Sequence, residues 1–569
     1  MMSAIAGPRC TTRRAKPACW AIVFALGFAA SAGAATTLTL QILPGERSDE
    51  NIAWHDLNGD GRKDLIRQAD RRLEVYLMGE HHRLSASPDW RVEIAPPWDL
   101  WDFADVRPDL PGEELVALSP QGVGWLSYQR RTTSTLHMEM LVTATLPITA
   151  DRLLARPGHW VVPMAKDRPP DLLLPTRSAA RVFRRQAQGS GWDATEEIPA
   201  PLRPWPWFQA ASSESYLVGL DRPPLAQAGA RSLSAVEPGR LAWREFRFRS
   251  SWSATGGWLI DWNGDGRLDW ASDKSGSPGG LRIYLQTPDG KFDRDHPIVP
   301  SWPAPLVREE QTPSARRRLQ QRPPGDPSAS WWSDLGGVEF ENLADVNGDG
   351  RIDVVRVSSL DNWASPKTTI RVYLQKPDAS FPAEPDSTLR AGAILPTDTL
   401  PLADLDGDGA LDLLLLRIDL QIASLHSQLK AFVRRGLETY LGAYTWKQGS
   451  GFAKRPVWEK KIMIGHDLIE FSRDPQPLME FDRDFTGDKR PDLVVRLKRD
   501  SVGVFPLADP KTGFAEAPMA VLKVPFVIER LVCDDFDGDG LNDVLIEGWD
   551  SQNRNRTPRA VFFGEATQP

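Results

Sequence analysis

Short apolar runs recur along the chain, each following an acidic, glycine-bearing loop: Leu65-Ile66, Trp270-Ala271, Val354-Val355, Leu413-Leu414, Leu493-Val494-Val495 and Val544-Leu545-Ile546. A second set alternates polar and apolar positions around an aromatic: Arg72-Leu73-Glu74-Val75-Tyr76-Leu77, Leu281-Arg282-Ile283-Tyr284-Leu285-Gln286 and Ile370-Arg371-Val372-Tyr373-Leu374-Gln375. Val502-Gly503-Val504-Phe505 and Ala560-Val561-Phe562-Phe563 are shorter versions. Runs this short, rich in β-branched and aromatic residues and bounded by turn residues, predict strands. Each unit reads strand, acidic loop, strand, turn, aromatic strand, turn, strand. Repeated along a chain, that is an all-β protein built as a β-propeller of four-stranded antiparallel blades.

Eight copies of the loop-and-strand frame can be counted, which favours eight blades, with seven or nine as the alternatives. Two copies are eroded. Residues 105–114 (DVRPDLPGEE) keep the frame but carry Arg107 where an oxygen is needed; residues 163–171 keep Asp167 and Asp171 but have Pro163 and Ala165 at the first ligand positions. A ninth copy would fall around residues 216–220. Two insertions interrupt the period. Residues 418–440, in an insertion spanning about 418–442, place Leu425, Leu429, Phe432, Val433, Leu437 and Tyr440 at helical spacing and predict an amphipathic helix. The insertion near 309–333 holds Arg316-Arg317-Arg318 and reads as a loop. Residues 36–42 (TTLTLQI) form a spare strand before the first loop, and the last copy ends one strand short. The expectation is that the first strand completes the last blade and closes the ring, removing exposed sheet edges.

Composition agrees. The 569 residues include 44 Gly and 48 Pro, too many breakers for a helical protein, and 22 Trp with 21 Phe to fill a core. Residues 1–34 run from basic (Arg9, Arg13, Arg14, Lys16) through apolar to small residues, the order of a secretory signal peptide cut after Ala34. No later segment approaches ~18 uninterrupted apolar residues. Residues 35–569 are therefore expected to be one exported domain, periplasmic or secreted, without a transmembrane segment and monomeric. Cleavage leaves Cys533 as the sole cysteine, so no internal disulfide can form.

The acids point to another means of stabilisation. Six segments share one spacing: residues 56–64 (DLNGDGRKD), 261–269 (DWNGDGRLD), 345–353 (DVNGDGRID), 404–412 (DLDGDGALD), 484–492 (DFTGDKRPD) and 535–543 (DFDGDGLND). Positions 1, 3, 5 and 9 bring oxygens together: Asp56, Asn58, Asp60, Asp64; Asp261, Asn263, Asp265, Asp269; Asp345, Asn347, Asp349, Asp353; Asp404, Asp406, Asp408, Asp412; Asp484, Asp488, Asp492; and Asp535, Asp537, Asp539, Asp543. Oxygen-only donors on a tight turn suit Ca²⁺ over a transition metal, and over Mg²⁺ with its stricter octahedron. Five loops are intact; in the sixth, 484–492, Thr486 and Lys489 depart from the pattern. An EF-hand is excluded because position 12 is Arg67, Ser272, Arg356, Leu415, Val495 or Ile546, never Glu, and strands follow. These positions hold 20 carboxylates against a net charge of −8 for the whole chain. Such clustering is costly unless a cation neutralises it.

The loops and the R-x-Y-L-Q-x-P-D-x-x-F strands resemble FG-GAP/VCBS repeats, the calcium-bearing blades of integrin-α-like propellers. The resemblance implies a propeller with one Ca²⁺ loop between the first two strands of a blade, and it implies no single activity. The expected function is a non-catalytic scaffold binding a glycan or protein, with Trp205, Trp207, Phe208, Trp331, Trp332 and Trp363 in loop-like contexts as stacking candidates. The rival is a calcium-assisted polysaccharide lyase or another carbohydrate-active enzyme. Its case is thin: no pair among the eight His has zinc-ligand spacing, and neither a G-x-S-x-G elbow nor a phosphate-cradling Gly loop is present. His55 borders the first loop, where a loop-stabilising role is expected. The acidic balance disfavours nucleic acid.

Overall fold

A computed structural model describes residues 36–43, 51–69, 71–98, 100–130, 138–146, 156–157, 161–162, 170–175, 179–186, 191–199, 217–218, 248–249, 257–273, 281–300, 338–360, 367–396, 401–418, 436–465, 479–549 and 557–566. The fold is all-β, made of small antiparallel sheets in series as propeller blades. Among the described residues eight sheets have blade size. Blade one holds Asn51–His55, Asp64–Ala69, Arg72–Tyr76 and Trp90–Glu93; blade eight holds Val527–Asp534, Asp543–Trp549, Arg559–Ala566 and Thr36–Ile42. The last of these pairs antiparallel with Arg559–Ala566 from Thr36↔Ala566 to Ile42↔Ala560. The spare N-terminal strand therefore closes the ring, as its position in the sequence predicts.

Packing completes the circle. One apolar cluster joins blades one and two (Ile66 and Val75 with Trp101 and Leu115). A second runs through blades two, three and four (Val116, Leu173, Trp270). The remaining clusters link four to five, five to six, six to seven, seven to eight, and eight back to one. This explains the uninterrupted apolar runs after the loops. In Asp412–Ile418, Leu413 and Leu415 face blade five while Leu414 and Leu416 face blade seven. A strand buried on both faces has no polar side to alternate with. Trp54, Trp101, Trp262 and Trp270 fill these seams, each at most 2% exposed.

Two expectations change. The helix over 418–440 is not formed at either end: Ile418 closes a strand, and Gly436–Tyr444 is another, paired on both sides. There Thr439 is buried between half-buried neighbours and burial is continuous from Leu441 to Tyr444, as in other strands packed between blades, and both neighbouring strands satisfy the backbone. That outweighs the helical spacing of Leu437 and Tyr440. Residues 419–435 lie outside the described residues. Around 216–220 only Leu217–Val218 is described, and it runs parallel to Asn51–His55 at the edge of blade one instead of opening a ninth blade. Residues 1–34, the insertion near 309–333 and the aromatics from Trp205 to Trp363 named above also fall outside the described residues.

Candidate metal centres

All six acidic loops join the first strand of a blade to its second, and their backbones repeat one hydrogen-bond scheme. The position-1 carboxylate accepts N–H groups from the turn: Asp56 from Gly59 (2.7 Å), Asp60 (3.2 Å) and Gly61 (2.8 Å). The position-5 oxygen accepts from two residues on in every loop, as Asp60 does from Arg62 (2.9 Å), and the position-3 oxygen does so in five, as Asn58 does from Asp60 (2.9 Å); in 484–492 the Thr486 hydroxyl instead donates to Asp484 (3.2 Å). Position 4 is Gly at positive φ in every loop, and position 6 is too except at Lys489. Lys489 holds φ 65°, a left-handed conformation that costs a side chain about 1–2 kcal/mol. Close approach is a second reason for glycine. A Cβ on Gly348 would sit 2.5 Å from the Gly409 carbonyl oxygen, and one on Gly264 would sit 2.3 Å from that of Gly350. Neighbouring loops thus touch, loop 261–269 against 345–353 and that against 404–412.

Position 9 has a task that its place among the candidate ligands does not suggest. In each loop it accepts from position 2 with one oxygen, and with the other from the residue two past the end of the third strand or, in blade eight, from inside that strand. The second set of donors is Met78, Gln286, Gln375, Trp446, Leu507 and Gly564, at 2.7–2.9 Å. The first set is Leu57, Trp262, Val346, Leu405, Phe485 and Phe536. The residue pins the loop to its own sheet. Burial pushes the Asp64, Asp269, Asp412 and Asp492 carboxyls up to about 7, with neighbouring loop carboxylates adding to the rise and the backbone donors opposing it. Burial likewise raises the Asp353 and Asp543 carboxyls well above the usual carboxylate range.

Charge divides the loops into two kinds. In loops 56–64, 261–269 and 345–353 an Arg at position 7 pairs with the position-5 Asp, and the position-3 Asn donates to the same oxygen. The pairs are Arg62–Asp60 at 2.6 Å, Arg351–Asp349 at 2.5 Å, and Arg267–Asp265. Loop 484–492 has the same pair, Arg490–Asp488 at 2.5 Å. Loops 404–412 and 535–543 have Ala410 and Leu541 at position 7 and Asp at position 3. Here carboxylate oxygens of Asp404, Asp406 and Asp408, and of Asp535, Asp537 and Asp543, lie within 4.8 Å of one another. Those oxygen-only sets fit a hard divalent cation. The Arg at position 7 was visible in the sequence; its partner on position 5 was not, because both residues also read as turn surface.

The eroded loop 105–114 carries its own cation. Arg107 grips Asp109 through Nε (2.8 Å) and Nη2 (2.6 Å) and holds the Asp109 carboxyl down at about 2. Glu114 takes over the pinning role, accepting from Val106 (3.1 Å) and Arg107 (3.0 Å) with one oxygen. Its other oxygen is buried without a partner, and burial pushes the carboxyl up to about 8. His55 contacts Glu113 at 2.5 Å, tying the first loop to the second blade. A histidine that sequence reasoning passed over, His82, reaches from the blade-one hairpin to Asp537.

An FG-GAP-like repeat family matches residues 345–415, the stretch from one acidic loop through its blade and the next loop into the strand Asp412–Ile418. No curated protein matches the chain. Among solved structures the chain is similar to a lectin of Agrocybe aegerita that recognises non-reducing terminal N-acetylglucosamine, at TM-score 0.30 and 13% identity, covering 93% of this chain and 98% of that one. It is also similar to BBS1N in its complex with ARL6DN, at TM-score 0.28 and 9% identity, covering 92% and 95%. No described helix is long and apolar enough to cross a membrane.

Proposed function

We propose that this protein is an exported, calcium-stabilised propeller that serves as a non-catalytic scaffold for a glycan or protein ligand. The observation that carries the calcium reading is the unrelieved carboxylate cluster of loop 404–412, three Asp oxygens within 4.8 Å and no cation of the chain at position 7. Asp404, Asp406, Asp408 and Asp412 would hold the ion there. Asp56, Asn58, Asp60 and Asp64 and their counterparts would hold it in the other loops, with 484–492 the weakest. Bound calcium would supply charge neutralisation and rigidity to loops that meet their neighbours, and no step of chemistry. Exported modules of this kind bind calcium at roughly 10⁻⁴–10⁻³ M, concentrations found outside cells.

The test is thermal melting of the chain with chelator and then with millimolar Ca²⁺. A melting temperature that rises with Ca²⁺ and not with Mg²⁺ supports the reading; an unchanged melt overturns it. Ligand class is separated by glycan arrays and by pull-down from the native envelope. Screening acidic polysaccharides for new ultraviolet absorbance tests the lyase alternative, and a positive result would replace the scaffold.

A further inference from the structure

The six loops are alike in backbone, yet among the described residues 535–543 is alone in having an imidazole brought to its carboxylates from another blade. His82 sits at the tip of the hairpin made by Met78–Gly79 and Arg83–Leu84 in blade one. Its Nδ1 contacts Asp537 Oδ2, 455 positions away in sequence, and its Nε2 lies 4.0 Å from Asp539 Oδ2. A ligand atom from each of His82, Asp537 and Asp539 falls within 4.8 Å of the others, and Asp537 belongs as well to the set with Asp535 and Asp543. The Asp537 side chain is 0% exposed, whereas its counterpart Asp406 in loop 404–412 is exposed.

Several features hold the histidine where it is. His81 and His82 both take positive φ, 60° and 53°, at a tip where glycine or asparagine is the usual occupant. The His82 ring lies against Phe563 of blade eight, with centroids 6.5 Å apart. Lys63 of the first loop anchors alongside, its backbone N–H on the Asp537 carbonyl (2.9 Å) and its Nζ on that of Asp535 (2.9 Å). All of this lies on the seam where the ring closes.

We propose that His82, Asp537 and Asp539, with Asp535 and Asp543 behind them, form a mixed nitrogen–oxygen site for a borderline divalent cation of the Zn²⁺ type, bonded across the seam between the first and last blades. Imidazole is a preferred ligand of such ions and not of Ca²⁺, which takes oxygen. The inference rests on the reading of the loops as metal-bearing and departs from it in assigning this one loop a different metal. Its consequence is a staple between blade one and blade eight that adds to the strand closure.

The experiment uses the whole chain, stripped with chelator and titrated with Zn²⁺ in the presence of excess Ca²⁺. The wild type should retain one zinc equivalent and melt higher with it. His82→Asn, chosen because Asn tolerates positive φ, should bind that zinc at least about 10-fold more weakly. Asp537→Asn should do the same, while His81→Asn should match the wild type. Co²⁺ in place of zinc should give visible bands that change in His82→Asn. Zinc retained equally by wild type and His82→Asn, or displaced by Ca²⁺ in the wild type, overturns the proposal. A calcium titration without zinc reads the remaining loops separately. If that titration is flat while zinc is still lost in His82→Asn, the calcium reading fails and this one stands.

Discussion

Loops 345–353 and 404–412 lie side by side, joined by the Leu411 N–H on the Val346 carbonyl (2.9 Å) and by glycines in contact. They share one backbone and differ in charge. The first holds three carboxylates, with Arg351 on one of them; the second holds four and no arginine. The comparison separates two jobs that one motif performs. Position 9 folds the loop through its backbone bonds in both, while positions 3, 5 and 7 decide how strongly the folded loop needs an outside cation.

The largest effect should come from breaking what the two loops share. Asp353→Ala leaves the Val346 and Gln375 N–H groups without acceptors, and Asp412→Ala does the same to Leu405 and Trp446. At about 1–3 kcal/mol for each buried donor left unpaired, both substitutions should cost about 3–5 kcal/mol in urea unfolding. The cost should persist in chelator. If chelator erased it in either loop, position 9 would be a metal ligand and nothing more.

The eroded loop 105–114 extends the comparison to a case where the chain provides the cation and leaves one acid unrelieved. Glu114 has an ordinary value of 4.5 in the unfolded chain and is raised to about 8 in the fold by burial. Between those values the unfolded chain gives up its proton and the folded one keeps it, so stability falls as pH rises. With saturating Ca²⁺ for the other loops, the wild type should lose on the order of 2–3 kcal/mol between pH 5 and pH 8 from this group. Glu114→Gln should flatten that part of the slope and be the more stable protein at pH 8. Equal slopes for the two proteins would show the carboxyl to be ionised at little cost.

Exchanging the charge at position 3 tests the difference directly. Asp406→Asn gives loop 404–412 the side chain of its neighbour and removes one of three carboxylates lying within 4.8 Å. It should stabilise the chelator-treated protein by about 1 kcal/mol and shrink the rise in melting temperature on adding Ca²⁺. Asn347→Asp should do the reverse. The same direction of change in both variants would mean that loop charge does not set the cation response.

Much of this architecture could be read from the residues, and the reasons differ by feature. The loops were legible because six copies repeat at fixed spacing, and the strands because those buried between blades are apolar without interruption. Ring closure followed from counting strands at both ends. What escaped were relations between distant positions. The strand Gly436–Tyr444 is fixed by partners on both sides, which local spacing cannot register. His82 gains its meaning from Asp537, 455 residues on. The oxygens of position 9 were assigned to an ion because one of the two backbone donors lies at or past the third strand, 14 to 34 residues on.

The smallest effect probes the arginine that distinguishes the balanced loops. Arg351 Nη2 lies 2.5 Å from Asp349 Oδ2, with the two side chains 31% and 22% exposed, and its Nε reaches the Gln375 carbonyl at 3.3 Å. A pair this open to water contributes about 0.5–1 kcal/mol, so Arg351→Gln should lower stability by that amount in chelator. The guanidinium and a bound cation neutralise the same carboxylate, so the two compete. With Ca²⁺ present the variant should recover most of the loss, because the ion meets an Asp349 whose charge no guanidinium neutralises. The calcium-induced rise in melting temperature should therefore be larger in Arg351→Gln than in the wild type, bringing loop 345–353 closer to the behaviour of 404–412. A smaller rise would mean that the arginine organises the site for the ion, and the division into balanced and unrelieved loops would have to be drawn elsewhere.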